Sequence, residues 1–328
     1  MMDQTDGDDR ASPIGDTAIT GKDQIEDDFQ EAGNHVDIRP RLEEAKSSNE
    51  LALARKHNAA LPIHSLPAEI FLQVIQHHML EMHPNSYREG YNKHLLSLSG
   101  VCSYWYNLIR DSPPLWTTLD LSDSPKVVEI VLQRSSSHLL DLQWDPVDLP
   151  DQLQPEASVS FQLPVAAIQP HGDRLRSIYI SVPYRWIECA IAVLREPAPS
   201  LDKLYFIDED TIACTREFDL FGGIAPQLTN LTLNGISIRW DSEVLYDLTS
   251  LSLSWIRFSS TDAILQALSH SPRLQRLEIE RCSTGSLATP SSPSVQLSQL
   301  VSLDVELGGK AATNNFLDHI ISNAKKSP

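Results

Sequence analysis

The chain has 328 residues, 41% of them hydrophobic, enough for one large domain or two ordinary ones with a sizeable core. Its net charge is −18, and residues 1–45 hold 13 Asp or Glu against 4 Lys or Arg, so half the excess negative charge sits in a leading segment. A pI near 4.9 with no basic patch argues against nucleic-acid and anionic-membrane partners.

Other absences narrow the class. No apolar run approaches the roughly 18 residues of a membrane span, and Met1–Asp9 is acidic where a secretory leader would be basic and then apolar. Cys102, Cys189, Cys214 and Cys282 form no Cys-x-x-Cys pair, which fits a reducing, intracellular setting in the cytoplasm or nucleus.

Residues 1–40 are rich in Asp, Gly, Ser and Thr and cannot bury enough apolar area to offset ordering entropy, so a disordered acidic tail is expected. Residues 41–65 form a helical lead-in with Leu42, Ala45, Leu51, Ala52, Leu53 and Ala54. Asn49 and Lys56 fall in the candidate heptad seam and favour one short helix over a coiled coil.

Residues 66–116 predict a small all-α module. Pro67 suits a first helical turn, Glu69 lies at the positive end of the helix dipole, and Ile70, Phe71, Val74, Ile75 and Met79 share one face. A second helix is predicted from His94 to Arg110, striped by Leu95, Leu98, Val101, Cys102, Trp105, Leu108 and Ile109, and stopped by Ser112-Pro113-Pro114. About fifty residues enclose little core, so an apolar face covered by a partner or a neighbouring domain is expected.

The order Leu66-Pro67-x-Glu69-Ile70, Leu95-Leu96-x-Leu98, Val101-Cys102-x-x-Trp105 and Leu115-Trp116 resembles the F-box family. The lead-in Asn58-Ala59-Ala60-Leu61-Pro62-Ile63-His64 is similar to that of the F-box-like families of mushroom-forming fungi. The resemblance implies docking to the Skp-type adaptor of a cullin-RING ubiquitin ligase. The implied docking residues are Leu66, Pro67, Ile70, Phe71, Val74, Leu95, Leu96, Leu98, Val101, Cys102, Trp105, Leu115 and Trp116. The loop from His77 to His94 is longer than the family's usual one, and Tyr106 stands where a basic residue commonly follows the tryptophan. The alternative is a helical cap that seals the end of the next domain.

From Trp116 onward a Leu-x-x-Leu-x-Leu pattern returns eight times: Trp116/Leu119/Leu121, Leu139/Leu142/Trp144, Leu175/Ile178/Ile180, Leu201/Leu204/Phe206, Leu228/Leu231/Leu233, Leu248/Leu251/Leu253, Leu274/Leu277/Ile279 and Leu300/Leu303/Val305. From Leu175 to Leu300 the leading positions are spaced by 26, 27, 20, 26 and 26 residues. Return helices are predicted at Pro125–Ser135, Arg185–Glu196, Asp262–His270 and Asn314–Ala324. Prolines 199, 226 and 272 end return segments two residues before the next leading leucine.

The pattern resembles the leucine-rich repeats that follow many F-boxes, although only Cys282 matches the Asn or Cys expected after each strand. The overall expectation is α/β: a disordered tail, a short helix, an all-α F-box-like module and, over residues 117–328, an irregular leucine-rich-repeat solenoid. Its last return helix either closes the array or leads into a longer one.

Side chains between the buried leucines should line the concave face. The candidates for holding a target protein are Tyr179, Lys203, Tyr205, Asn230, Thr232, Arg276, Glu278 and Asp304, with the two tyrosines as anchors. The plainer reading is ordinary solvent-facing strand residues.

No catalytic, metal or cofactor signature emerges. His77, His78, His83 and His94 have no standard ligand spacing and are expected to be solvated, as is the turn Asp208-Glu209-Asp210. Cys282 reads as a small buried hydrophobe, and Gly222-Gly223 has no following Lys to make a phosphate cradle. Two functions follow. One is a non-enzymatic substrate receptor of an SCF-type ubiquitin ligase. The other is a repeat scaffold without ligase association, its helical module only a cap.

Overall fold

The structure, a computed structural model, describes residues 48–82, 90–145, 168–210 and 216–322. The expected acidic tail, His83, Cys214, most of the Leu139–Leu175 interval and the last residues of the chain lie outside the described residues.

The lead-in is one helix, α1 (Ser48–Ala59), on which Leu53 is 69% exposed, so no coiled-coil seam forms there. A 3₁₀ turn over Pro62–Ser65 leads to α2 (Ala68–Met82), which begins as the Phe71 amide donates to the Pro67 carbonyl. Pro67 thus sits at the cap, where an imino nitrogen costs no hydrogen bond. Phe71, Ile75 and Met79 recur every four residues and are buried together.

The second helix expected from His94 to Arg110 is two: α3 (Tyr91–Ser99) and α4 (Ser103–Arg110). Ser99-Gly100 is a weak helical pair. The Gly100 amide closes the first helix on Leu96 and Ser97, and Cys102 at φ −164°, ψ 167° restarts the chain in extended geometry. The bend turns Val101 outward while Leu95 and Ile109 stay buried on either side of it. A 3₁₀ turn over Pro113–Trp116 ends the module and delivers Trp116 to the core, its indole N–H donating to the Ile109 carbonyl at 2.8 Å.

The rest of the chain is built on strands β1 (Thr118–Asp120), β2 (Leu140–Trp144), β3 (Leu175–Val182), β4 (Lys203–Asp208), β5 (Glu217–Phe218), β6 (Asn230–Asn234), β7 (Ser237–Ile238), β8 (Ser250–Ser254), β9 (Arg257–Phe258), β10 (Arg276–Thr284), β11 (Val295–Leu297), β12 (Ser302–Leu307) and β13 (Ile320–Ser322). An open parallel sheet runs β1-β2-β3-β4-β6-β8-β10-β12, so strand order follows chain order, and β9 pairs with β10. The short strands of the return segments pair separately, β5 with β7 and β11 with β13.

Register explains the leucine spacing. Leu119, Leu142, Ile178, Leu204, Leu231, Leu251, Leu277 and Leu303 lie opposite one another across all eight strands. A second row runs Trp144, Ile180, Phe206, Leu233, Leu253, Ile279 and Val305. All but Val305 are buried. Each such side chain contributes about 1.5–3 kcal/mol by leaving water, and only against neighbouring strands.

Three expectations are corrected. Leu139 is 40% exposed, and Leu140 takes its place because a register shift between Leu140 and Asp141 moves the buried position by one. The return segment after β3 is a 3₁₀ turn over Tyr184–Trp186 followed by α6 (Ile187–Val193), shorter than 185–196; the return after β1 is α5 (Pro125–Arg134) and that before β10 is α7 (Thr261–Ser269), close to expectation. At the other end, Gly308 and Gly309, at φ +61° and +101°, turn the chain straight from β12 into α8 (Lys310–Leu317). The chain then forms β13 where helix was expected.

Candidate functional site: helical docking rim and polar sheet face

The thirteen residues implied in adaptor docking divide by burial. Pro67 and, at 44%, 47% and 58% exposure, Ile70, Val74 and Val101 face solvent; Leu66, Leu98, Cys102 and Trp105 are half-buried. Ile70 and Val74 stand four residues apart on one face of α2. Phe71, Leu95, Leu96, Leu115 and Trp116 are instead buried in the chain's own core. A module this small spends its largest apolar side chains on its own core and leaves a thin apolar rim outside.

Trp105 is fixed on two sides. Its ring meets Phe71 edge-on at 4.9 Å between centroids, and its indole N–H donates to His64 Nε2 at 2.9 Å. An acceptor Nε2 puts the neutral ring's proton on Nδ1. The Tyr104 ring lies 5.0 Å from the same imidazole. The sequence alone does not pair His64 with Trp105, although the resemblance of the Asn58–His64 lead-in draws that segment to the module.

Two expected loop histidines meet. His78 Nε2 on α2 and His94 Nε2 on α3 are 2.9 Å apart, so one ring donates and the other accepts. Burial, and secondarily the neighbouring His78, hold His94 below the ordinary imidazole range. His77 is solvated as expected, 3.1 Å from Glu81. Among the described residues no group of three or more His, Cys, Asp or Glu could hold a metal ion.

The module and the sheet are joined by a buried polar cluster. Asn92 Nδ2 of α3 donates to the Thr118 carbonyl at 3.0 Å and to Asp123 Oδ2 at 2.8 Å, while Gln143 Nε2 donates to Asp120 Oδ2 at 2.9 Å. Burial first, then the nearby Asp120 carboxylate, push the Asp123 carboxyl up to about 6. Burial also raises Asp120.

On the sheet, the residues between the buried rows form a polar grid that faces solvent except at Gln143, which is turned into the buried cluster. One row reads Asp141, Ser177, Lys203, Asn230, Ser250, Arg276, Ser302, and the next Gln143, Tyr179, Tyr205, Thr232, Ser252, Glu278, Asp304. All eight candidate target residues lie in these two rows; Lys203, Arg276 and Asp304 are exposed and the other five half-buried. The Tyr179 and Tyr205 rings lie 6.3 Å apart, beside a depression of about 370 Å³ bounded by Asp141, Arg176 and Lys203.

Asp208 is buried, a correction to the solvated turn. It accepts from the Asp210 amide, and Gly235 packs so close that an added Cβ would lie 2.9 Å from the Asp208 Cβ. Cys282 is buried with its thiol donating to the Leu253 carbonyl, and burial pushes it up to about 11, as suits a core thiol. No disulfide joins Cys102, Cys189 or Cys282.

Residues 63–122 match the family model described as F-box-like. The match opens beside His64, takes in α2, α3 and α4, and closes just past β1. The chain therefore carries an F-box-like domain, a kind of module that in general binds Skp-type adaptors. No curated protein matches the chain. Among the described residues no helix is long and apolar enough to cross a membrane.

Proposed function

We propose that the protein is a substrate-recognition subunit of a cullin-RING, SCF-type ubiquitin ligase. The helices of residues 63–122 dock a Skp-type adaptor, the sheet's polar face holds a target protein, and the chain performs no chemistry of its own. The carrying observation is the F-box-like match over a helical module that leaves Ile70, Val74 and Val101 outside its own core. An apolar rim of this kind gains free energy when a partner removes it from water. Function then consists of proximity, since holding the target near an adaptor-bound enzyme raises the local concentration of reactants.

Residues 117–328 read as an irregular leucine-rich-repeat solenoid. Strands that succeed one another in chain order, two stacked apolar rows and return segments of unequal length support that reading. Co-purification with a Skp-type adaptor tests the docking half. The native chain should capture it and the Leu66→Ala, Ile70→Ala double variant should not; equal capture by both, or none by either, ends the proposal.

A second reading has its own support. The Asn92 bonds to Thr118 and Asp123 fasten α3 to the first strand of the sheet, as a cap would require. If the module is only a cap, its deletion unfolds the sheet and adaptor capture never occurs.

A further inference from the structure

Along the exposed rows of the sheet the side chains change from aromatic to hydroxyl to acidic. Tyr179 and Tyr205 stand on β3 and β4; Thr232 and Ser252 follow on β6 and β8; Glu278 and Asp304 come on β10 and β12, with Glu306 beside them. Among the described residues no Lys or Arg lies within ion-pair distance of Glu278, Asp304 or Glu306, whereas Glu280 is paired with Arg281 at 3.3 Å. Glu278 Oε2 accepts from Ser252 Oγ at 3.0 Å, which leaves its charge without a paired cation. Carboxylates on adjacent strands repel one another, and a cation laid across them relieves that cost.

We infer that the sheet's polar face takes an extended target segment bearing one apolar or aromatic residue and, a fixed distance along, Lys or Arg. This rests on the reading of that face as the target-binding surface, and adds what the surface selects. The apolar residue packs between Tyr179 and Tyr205, whose rings offer rigid area at 6.3 Å separation. The basic residues sit over Glu278, Asp304 and Glu306.

The direction is set by net charge. Each end carries one exposed cation of the same row, Lys203 beside Tyr205 and Arg276 on β10. Glu278, Asp304 and Glu306 outnumber Arg276 and leave that end negative, so a basic residue is favoured there and not beside Lys203. The net charge of −18 attracts a basic partner before contact.

The sheet supplies the ruler. From β4 to β10 is three strand spacings and to β12 four, which at about 4.8 Å each gives roughly 14–19 Å. An extended peptide at ~3.3 Å per residue spans that in roughly four to six residues.

The test uses the full chain and fluorescent synthetic peptides. Each peptide carries one Leu and one Lys-Lys pair, separated by zero to eight Gly/Ser residues, in both orders. Anisotropy should show tightest binding with about three to five intervening residues, an offset of about four to six along the chain, and weakening as salt rises. Affinity should fall about tenfold with Glu278→Gln, Asp304→Asn and Glu306→Gln combined, and similarly with Tyr205→Ala. Asp304 and Glu306 are exposed and Tyr205 and Glu278 half-buried, and an unchanged far-UV spectrum and melting temperature check that each variant is folded.

If Tyr205→Ala abolishes binding but the charge-neutral triple variant or Glu-Glu peptides bind as well as the originals, the basic-segment inference is overturned and the face stands as a binding surface. If no peptide binds, or none responds to any substitution, the inference and the target-face reading fall together.

Discussion

Neighbouring side chains on α2 have opposite fates. Phe71 is buried against the Trp105 ring, whereas Ile70 is 44% exposed. Phe71→Ala should therefore cost about 3–5 kcal/mol by leaving a cavity, and Ile70→Ala well under 1 kcal/mol; urea unfolding of the two variants checks the contrast. Asp123 sets a pH dependence of unusual sign. Its folded pKa of about 6 lies above the carboxylate reference of 3.8, so between pH 4 and 6 the folded chain holds more of this proton than the unfolded chain does. Its contribution to stability therefore declines as pH rises through that window. Asp123→Asn should flatten this decline and keep the Asn92 bond through its amide oxygen, measured as urea midpoints from pH 4 to 7. His94, held below its ordinary value of 6.5, acts the other way, losing stability as pH falls through its window, so the Asp123 effect is cleanest in a His94→Asn background.

At the scale of elements, the strands were the most legible feature and the helix breaks the least. Two apolar positions per strand are enough to place β3, β4, β6, β8, β10 and β12, because every copy must match its neighbour's register to bury the same rows. The Leu139-Leu140 pair fits the pattern in either of two frames, and only pairing with β3 selects Leu140. Between Ser99 and Ser103 the apolar spacing runs on unbroken although the backbone turns, so periodicity alone could not reveal the bend. The Asn92, Asp120, Asp123 and Gln143 cluster was invisible because its members are polar and come from separate elements. So was the burial of Phe71, Leu95, Leu96, Leu115 and Trp116, since an apolar docking residue and an apolar core residue look alike in sequence. Leu231→Ala and Leu251→Ala, each in the middle of a row, should cost about 2–5 kcal/mol. In direct contact across β6 and β8, they should combine non-additively in a double-mutant cycle followed by urea unfolding.

For the whole molecule, the F-box-like module and the sheet share one apolar core that runs from Phe71 to Phe316. Trp116 and the Asn92 bonds join them at β1, so a target held on the sheet would be carried at a defined place relative to an adaptor on the helices. In the proposed substrate-receptor role, function depends on this coupling. It requires the outward residues of α2 to contact the adaptor while the inward ones keep the module folded. The decisive measurement is calorimetric titration of a purified Skp-type adaptor into the full chain and into an Ile70→Glu, Val74→Glu variant, with the melting temperature of each recorded alongside. Saturable one-to-one binding by the native chain, weakened at least about tenfold in a variant that melts at the same temperature, is the expected result. Adaptor binding that is absent from the native chain, or equally tight in the folded variant, would contradict it.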